Sequence, residues 1–310
     1  MYCVFLPIDG GASASWRDRL EGSCEEGASL ARHTSYHVGG PAKYLVVPAT
    51  VADVREVLGA GEETFVMGAG SNVLVADAGF DGVVLKVCNA LAQLSILERE
   101  VVAGAGRRLP SLVQSCAEMG LSGLEWAVGI PGTVGGAVCT NAGAFGSSLW
   151  ECVEFVEGVS AGGEVFRLTP AEATYGYRHA SLPVAEPFVL TEVGLRLTPS
   201  DPERVGELTA AHRARREETQ PTAAFTAGSV FKNPPEGPSA GELIDTAGLK
   251  GRRRGEAVVS EKHANFIVNQ GGARARDLYD LIVEVREEVR ARHGVTLELE
   301  IELVGDFEAT

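Results

Sequence analysis

With 310 residues, 45% of them hydrophobic and 22% charged, the chain has the makeup of a globular enzyme of two or three domains, which excludes wholesale disorder. Its 42 acidic and 27 basic residues give a net charge of −15, which argues against a nucleic-acid partner, because neutralising phosphates needs a basic face. No apolar run approaches the ~20 residues that span a bilayer, the first seven residues lack the features of a signal peptide, and the six cysteines (Cys3, Cys24, Cys88, Cys116, Cys139, Cys152) form no CxxC pair. Neither a membrane association, a disulfide framework nor a metal site is therefore expected, and the features together point to a cytoplasmic protein with reduced thiols.

Residues 1–30 are small, polar and in places acidic, and read as a poorly structured leader. A first unit over 31–90 carries strand signals at 44–48, 64–67, 72–75 and 82–87 and a short helix at 51–60. A second unit over 91–200 begins with Val101-Val102 leading into Gly104-Ala105-Gly106. It continues with a helix over 109–119, whose Leu112, Val113 and Cys116 share one side. A glycine-rich stretch over 129–146 follows, then a hairpin of two strands, 153–159 and 164–168, around Ala161-Gly162-Gly163. A strand over 189–197 closes the unit, with Pro199 and Pro202 at the boundary. The third unit, 201–310, opens with a charged helix over 202–218. Leu278, Leu281, Ile282, Val285 and Val289 form a helical apolar stripe that Gly294 stops. Residues 295–304 then alternate, with Val295, Leu297, Leu299, Ile301 and Leu303 on one side and Thr296, Glu298, Glu300 and Glu302 on the other, the pattern of a strand.

Three glycine-rich turns lie between 68 and 136. Gly68-Ala69-Gly70-Ser71-Asn72 follows a strand, but a dinucleotide fingerprint would need glycine where Val73 stands, and Gly104-Ala105-Gly106 fails likewise at Leu109, so an NAD-type Rossmann fold is disfavoured. Consecutive N–H groups without side chains still make a concave anion cradle suited to a pyrophosphate. For one such turn, tight bending alone would be explanation enough. Two of them together with the run from Gly129 to Gly136 favour a phosphate-bearing cofactor. Arg252-Arg253-Arg254, the densest basic cluster, reads as a solvated turn.

Six segments in order carry a resemblance: TSYHVGGPA from Thr34, GAGSNVL from Gly68, GIPGTVGG from Gly129 continuing into NAGAFG from Asn141, Tyr177-Arg178-His179, AGSVFKNP from Ala227, and SEKHANFIVN from Ser260. Over 32–305 the chain resembles the UDP-N-acetylenolpyruvoylglucosamine reductases (MurB), in their shorter, type II form. The resemblance implies a three-domain α+β flavoprotein. Its first two domains would form an FAD-binding region of the vanillyl-alcohol-oxidase (PCMH) type, and its C-terminal α+β domain would take substrate. It implies FAD reduced by NADPH, UDP-N-acetylglucosamine enolpyruvate as the sugar-nucleotide substrate, and UDP-N-acetylmuramate for peptidoglycan as product. A monomer is expected.

The residues implied for FAD are Gly68, Ala69, Gly70, Ser71, Asn72, Gly129, Ile130, Pro131, Gly132, Thr133, Gly135, Gly136 and Asn141. Ser229 is implied as proton donor, with Arg178 and Glu300 acting on the developing carboxylate charge, and Lys232, Asn233 and His263 as substrate ligands. The chemistry suits these types. An enolpyruvyl ether accepts hydride at the carbon β to its carboxylate, and the resulting enediolate must be stabilised and then protonated at the α-carbon. A guanidinium meets a carboxylate with two hydrogen bonds, and a glutamic acid kept protonated by burial donates one. Each residue also has a plain structural reading: a turn for Ser229, a surface ion pair for Arg178, a solvated strand edge for Glu298, Glu300 and Glu302, a structural histidine for His263. Another flavin oxidoreductase of the same fold, acting on a different alcohol or sugar, and a non-catalytic nucleotide-binding module remain alternatives. The chain departs from the family pattern at His33 (usually Asn), Phe145 (often Tyr), Ala180 (commonly Ser) and Glu302 (commonly basic).

Overall fold

The computed structural model describes residues 15–221 and 224–308. In the first unit, β1 (Ser23–Glu26), β2 (Ala42–Val47), α1 (Val51–Leu58), β3 (Thr64–Met67), β4 (Val73–Val75) and β5 (Phe80–Lys86) follow one another. Four of the strands form a sheet in the order β1-β2-β5-β3, parallel except where β1 pairs antiparallel with β2. Val83, Val84 and Leu85 of β5 are all fully buried, as the middle of a sheet covered on both faces requires.

The expectation of an unstructured leader is corrected from Ser15 onward, while residues 1–14 lie outside the described residues. Trp16 packs edge-on against Tyr44, with ring centroids 5.8 Å apart. The buried carboxylate of Asp53 accepts the N–H groups of Glu21 and Gly22 at 2.8 and 3.0 Å, and it also closes the capping box of α1 with Thr50. β1 escaped sequence reading because Ser-Cys-Glu-Glu on an exposed sheet edge has no apolar alternation to detect.

In the second unit, β6 (Leu94–Leu97) and β7 (Glu100–Gly104) form one side of a five-stranded antiparallel sheet whose other strands are Val189–Arg196, Val153–Val159 and Val165–Leu168. The last two are the expected hairpin. α2 (Leu109–Glu118) and α3 (Val134–Cys139) join this sheet in a core that includes Val101, Leu112, Cys116, Trp126, Val134, Trp150 and Val193. One glycine turn is reassigned here. A Cβ on Gly104 would sit 1.9 Å from the Leu91 carbonyl oxygen, and one on Gly106 would sit 1.6 Å from that of Ala90. These glycines let two backbone segments touch, and that close approach accounts for them without a phosphate.

The third unit contains α4 (Pro202–Thr219), α5 (Ala240–Thr246), α6 (Ala275–His293) and a small sheet of Arg253–Arg254, Ala257–Val259 and Ile267–Asn269. α6 buries the expected stripe and ends on Gly294 at φ 71°. Arg252 and Arg254 both pair with Glu284 of α6, so this basic run is spent on a surface ion pair. The expected strand over 295–304 is regular only at Glu302–Val304, which pairs parallel with β4 of the first unit. Before that point Leu297 and Ile301 are buried and Thr296 and Glu298 exposed, but pairing is reduced to one bridge, Leu299 with Phe231. Burial alternates there because the segment crosses between two units instead of running along one ladder. Tyr36, Val38, Leu74 and Ala76 of the first unit complete the third unit's core, and Asp77 accepts the N–H groups of Ala275 and Arg276 at 2.9 Å each, at the start of α6. Among the described residues no helix is long and apolar enough to cross a membrane.

Candidate active site

Two of the glycine runs meet. The Ser71 hydroxyl donates to the Pro131 carbonyl oxygen at 3.2 Å. A Cβ on Gly68 would lie 2.6 Å from Thr133 Oγ1, and one on Gly132 would lie 3.2 Å from Ser71 Oγ. Gly70 has φ 68°, and a Cβ there would strike the His33 carbonyl oxygen at 2.1 Å. Thr133 caps α3 by accepting the Gly136 N–H, while the N–H groups of Val134 and Gly135 are bound to the carbonyls of Arg107 and Ala105. The seam between the first two units is thus lined by backbone packed too closely for side chains. Gly70→Ala is expected to destabilise the protein by at least about 2 kcal/mol and to weaken dinucleotide binding. Chemical denaturation and FAD titration check this, and wild-type values for both would contradict it.

A second cluster adjoins the seam. Arg178 sits at φ 52° in the two-residue turn joining the strands Thr174–Gly176 and His179–Ser181. Its Nε donates to Glu300 Oε1 at 2.6 Å, and both side chains are about four-fifths buried, at 22% and 18% exposure. The structure separates the three glutamates that sequence left equivalent, since the Glu298 side chain is 80% exposed. Burial pushes the Glu300 carboxyl above its ordinary value, against the opposing pull of the Arg178 and Lys232 charges. Asn72 ties the cluster to the glycine seam: its side-chain amide donates to the Glu300 carbonyl oxygen at 3.0 Å, and its own carbonyl accepts the Glu302 N–H at 2.9 Å. The Glu300 N–H donates to the Val230 carbonyl oxygen at 2.8 Å, one residue from Ser229. Ser229 is half-buried, follows Gly228 at φ 81°, and its hydroxyl makes no hydrogen bond among the described residues.

Lys232, Asn233 and His263 gather near the start of α5. Asn233 Oδ1 accepts the Ala240 N–H at 3.0 Å, and a Cβ on Gly241 would lie 3.3 Å from His263 Cε1. Lys232 Nζ stands 4.0 Å from Glu298 Oε2. Burial, then the Lys250 charge, lowers the His263 pKa, so the ring is neutral at pH 7, and its Nδ1 accepts the Asn265 N–H at 3.3 Å. Only its Nε2–H remains to offer a ligand.

The residues present fit a flavin dinucleotide: a seam that side chains would fill, backbone donors for a pyrophosphate in an acidic chain, and a cationic, acid-bearing cluster beside it. Comparison with known proteins bears directly on this. A family model described as an FAD binding domain matches residues 42–169, and one described as the C-terminal domain of UDP-N-acetylenolpyruvoylglucosamine reductase matches 220–304. The protein of that name from Alkalilimnicola ehrlichii is 44% identical over 283 residues, covering 90% of this chain and 94% of the relative. The one from Bacillus subtilis is 38% identical over 293 residues, covering 93% and 96%. The crystal structure of the Thermus caldophilus enzyme superposes with a TM-score of 0.81 at 37% identity, over 92% of this chain and 100% of that one. The chain belongs to the UDP-N-acetylenolpyruvoylglucosamine reductase family.

The α+β fold with a PCMH-type FAD region is therefore that of the reductase family. The four positions expected to depart from the family pattern can be located. His33 Nδ1 lies 2.8 Å from Lys86 Nζ beside the Gly70 turn. Phe145, at φ 54°, packs on His212 of α4 with ring centroids 4.5 Å apart. Ala180 lies in the Arg178 hairpin, and Glu302 opens the strand beside β4. Asn141, one of the residues expected at FAD, has its side chain engaged within the protein. Its Nδ2 donates to the Gly176 carbonyl at 2.7 Å and its Oδ1 accepts the Trp150 N–H at 3.3 Å, so the side chain holds the Arg178 hairpin in place.

Sequence reasoning missed three contributors. The Tyr177 hydroxyl accepts the Asn233 N–H at 3.3 Å, joining the Arg178 turn to the Lys232-Asn233 segment. Arg216, buried beneath the Gly129 turn, is the second. Asn265, fully enclosed, both donates to and accepts from the backbone of Phe231, at 2.8 and 3.0 Å, and so fixes the strand-like segment that carries Ser229. Asn265→Ala would leave that N–H and C=O buried without partners. It is expected to cost about 2–4 kcal/mol, read by urea unfolding. A loss below 0.5 kcal/mol would contradict the bracing role.

Proposed function

We propose that this chain catalyses the NADPH-dependent, FAD-mediated reduction of UDP-N-acetylglucosamine enolpyruvate to UDP-N-acetylmuramate in peptidoglycan precursor synthesis, working as a monomer in the cytoplasm. The observation that carries this is the Arg178–Glu300 pair, held one residue from the Ser229 segment and tied by Asn72 to the glycine seam. That arrangement sets a carboxylate-binding, proton-donating cluster beside a dinucleotide site, as reduction of an enolpyruvyl ether demands. The relatives' shared name supports the same substrate.

In this reading the backbone N–H groups of Gly68, Ala69, Gly70, Ser71 and Asn72 hold the FAD pyrophosphate, and the run Gly129, Ile130, Pro131, Gly132, Thr133, Gly135, Gly136 shapes the rest of the cleft. When bound, FAD reduced by NADPH supplies a hydride to the β-carbon of the enolpyruvyl group. Arg178 spends its Nε on Glu300 and turns its remaining N–H donors to the substrate carboxylate. Glu300, whose pKa burial raises, donates a hydrogen bond to the same group when it carries its proton, as charge grows there. The Ser229 hydroxyl gives its proton to the α-carbon, a step the strong basicity of an enediolate makes feasible. Lys232, Asn233, Tyr177 and the His263 Nε2–H are the donors for the nucleotide's phosphates.

An anaerobic titration tests the proposal. The purified protein should be yellow, bleach with NADPH, and regain its colour on adding the enolpyruvyl nucleotide. A bleached protein that the nucleotide does not reoxidise would overturn it.

A further inference from the structure

Among the described residues Arg216 is a buried cation with no paired carboxylate. It sits at the end of α4, only 8% exposed, in a helix otherwise made largely of surface residues. Its Nε donates to the Val128 carbonyl oxygen and its Nη1 to Gln220 Oε1, both at 3.0 Å. Its Nη2 is buried with no partner among the described residues, and no carboxylate there pairs with it. A Cβ on Gly129 would lie 3.0 Å from Arg216 Cδ, so the guanidinium stem presses on the turn that opens the second glycine run. The guanidinium lies 5.7 Å from the Phe145 ring centroid. Burial, and then the charge of another cation, Arg178, both disfavour its protonated form.

Burying an uncompensated guanidinium is costly, because the lost hydration is not repaid by a partner. The cost is recovered if the missing anion arrives with the ligand, at the unpartnered Nη2. Position narrows the choice of anion. The pyrophosphate belongs to the Gly68–Asn72 side of the seam, whereas Arg216 stands at Gly129 and Phe145, on the Arg178 side where the reaction takes place. In the FAD reading the isoalloxazine ring would lie on that side. Reduction by NADPH, which would transfer both electrons and a hydrogen to N5 as hydride and release NADP+, would leave negative charge on N1–C2=O, the charge Arg216 is placed to meet.

We propose that Arg216 Nη2 donates to the N1–C2=O edge of the reduced flavin, making Arg216 a cofactor-tuning residue as well as a brace for the Gly129 turn. This rests on the FAD reading of the site. It predicts that Arg216→Gln weakens binding of reduced FAD at least tenfold more than binding of oxidised FAD. By linkage this lowers the two-electron midpoint potential by about 30 mV or more. Arg216→Lys, which keeps the charge, should recover much of that shift.

Spectroelectrochemistry on the holoproteins reads the potentials, and titration of the apoproteins reads the affinities. Equal weakening of both redox forms, with the potential unchanged, would overturn the proposal and leave Arg216 as a brace alone. Should Arg216→Gln retain no flavin, the wild-type holoprotein decides. Its reduced flavin should keep the spectrum of the N1 anion well below the pH at which free reduced flavin takes up that proton, and protonation at the free-solution pH overturns the inference. A wild-type protein that binds no flavin at all would instead overturn the cofactor reading itself.

Discussion

Ser229→Ala should leave bleaching of the flavin by NADPH at the wild-type rate and slow the return of colour with the enolpyruvyl nucleotide by about 10²–10⁴-fold, the usual contribution of a positioned acid. The split follows from where the serine sits. Its hydroxyl makes no hydrogen bond among the described residues, so its loss breaks no structural link. Its backbone is held by the bridge to Phe266 and by the neighbouring Val230 N–H to the Asn265 carbonyl oxygen, neither of which alanine disturbs. The reductive half-reaction needs no proton on a substrate carbon, so it should not notice the change. Stopped-flow measurement of each half-reaction checks this, and equal slowing of both would contradict the role given to Ser229.

Arg178 and Glu300 should separate by pH and by charge. Arg178→Ala removes the charge that opposes burial at Glu300, so the carboxyl should stay protonated to higher pH and the stability lost on substitution should grow as pH rises. It also strips the substrate carboxylate of a two-pronged donor, so both the KM for the nucleotide and the rate of reoxidation should suffer. Glu300→Gln keeps a hydrogen-bond donor and should retain far more activity than Glu300→Ala. The pH dependence has a definite sign. Because burial raises the Glu300 pKa above 4.5, its protonated form is the one the fold prefers. Its stabilising contribution is complete below the unfolded value and is lost as pH rises through the folded value. Glutamine does not ionise, so the stability of Glu300→Gln relative to wild type should improve as pH rises from 4.5. Thermal melts across that range measure it, and a gap moving the other way would show that the Arg178 pair outweighs burial.

Much of this could be read from the chain. The spacing of Leu278 to Val289 followed by Gly294 defines α6, and the hairpin around Ala161-Gly162-Gly163 needs only local turn chemistry. The glycine runs announced a phosphate cradle, yet sequence could not tell Gly68 and Gly70, which face Thr133 and His33, from Gly104 and Gly106, which face Leu91 and Ala90. That distinction depends on which backbone folds back against them. Glu298, Glu300 and Glu302 share one periodicity, and only tertiary burial, supplied by a partner 122 residues away, marks Glu300. Family resemblance named that residue before any physical signal did. Arg216 lies in a run of arginines and glutamates that reads as a solvated helix, and nothing local shows which arginine turns inward.

The proposed reaction requires the seam between Gly68–Asn72 and Gly129–Gly136 to hold FAD with its ring turned toward Ser229, Arg178 and Glu300. A crystal structure of the yellow holoprotein with the enolpyruvyl nucleotide tests it directly. The account predicts pyrophosphate density against the backbone N–H groups of that seam and the substrate's α-carbon within hydrogen-bonding reach of the Ser229 hydroxyl. FAD bound elsewhere, or a ring facing away from Arg178, would contradict it.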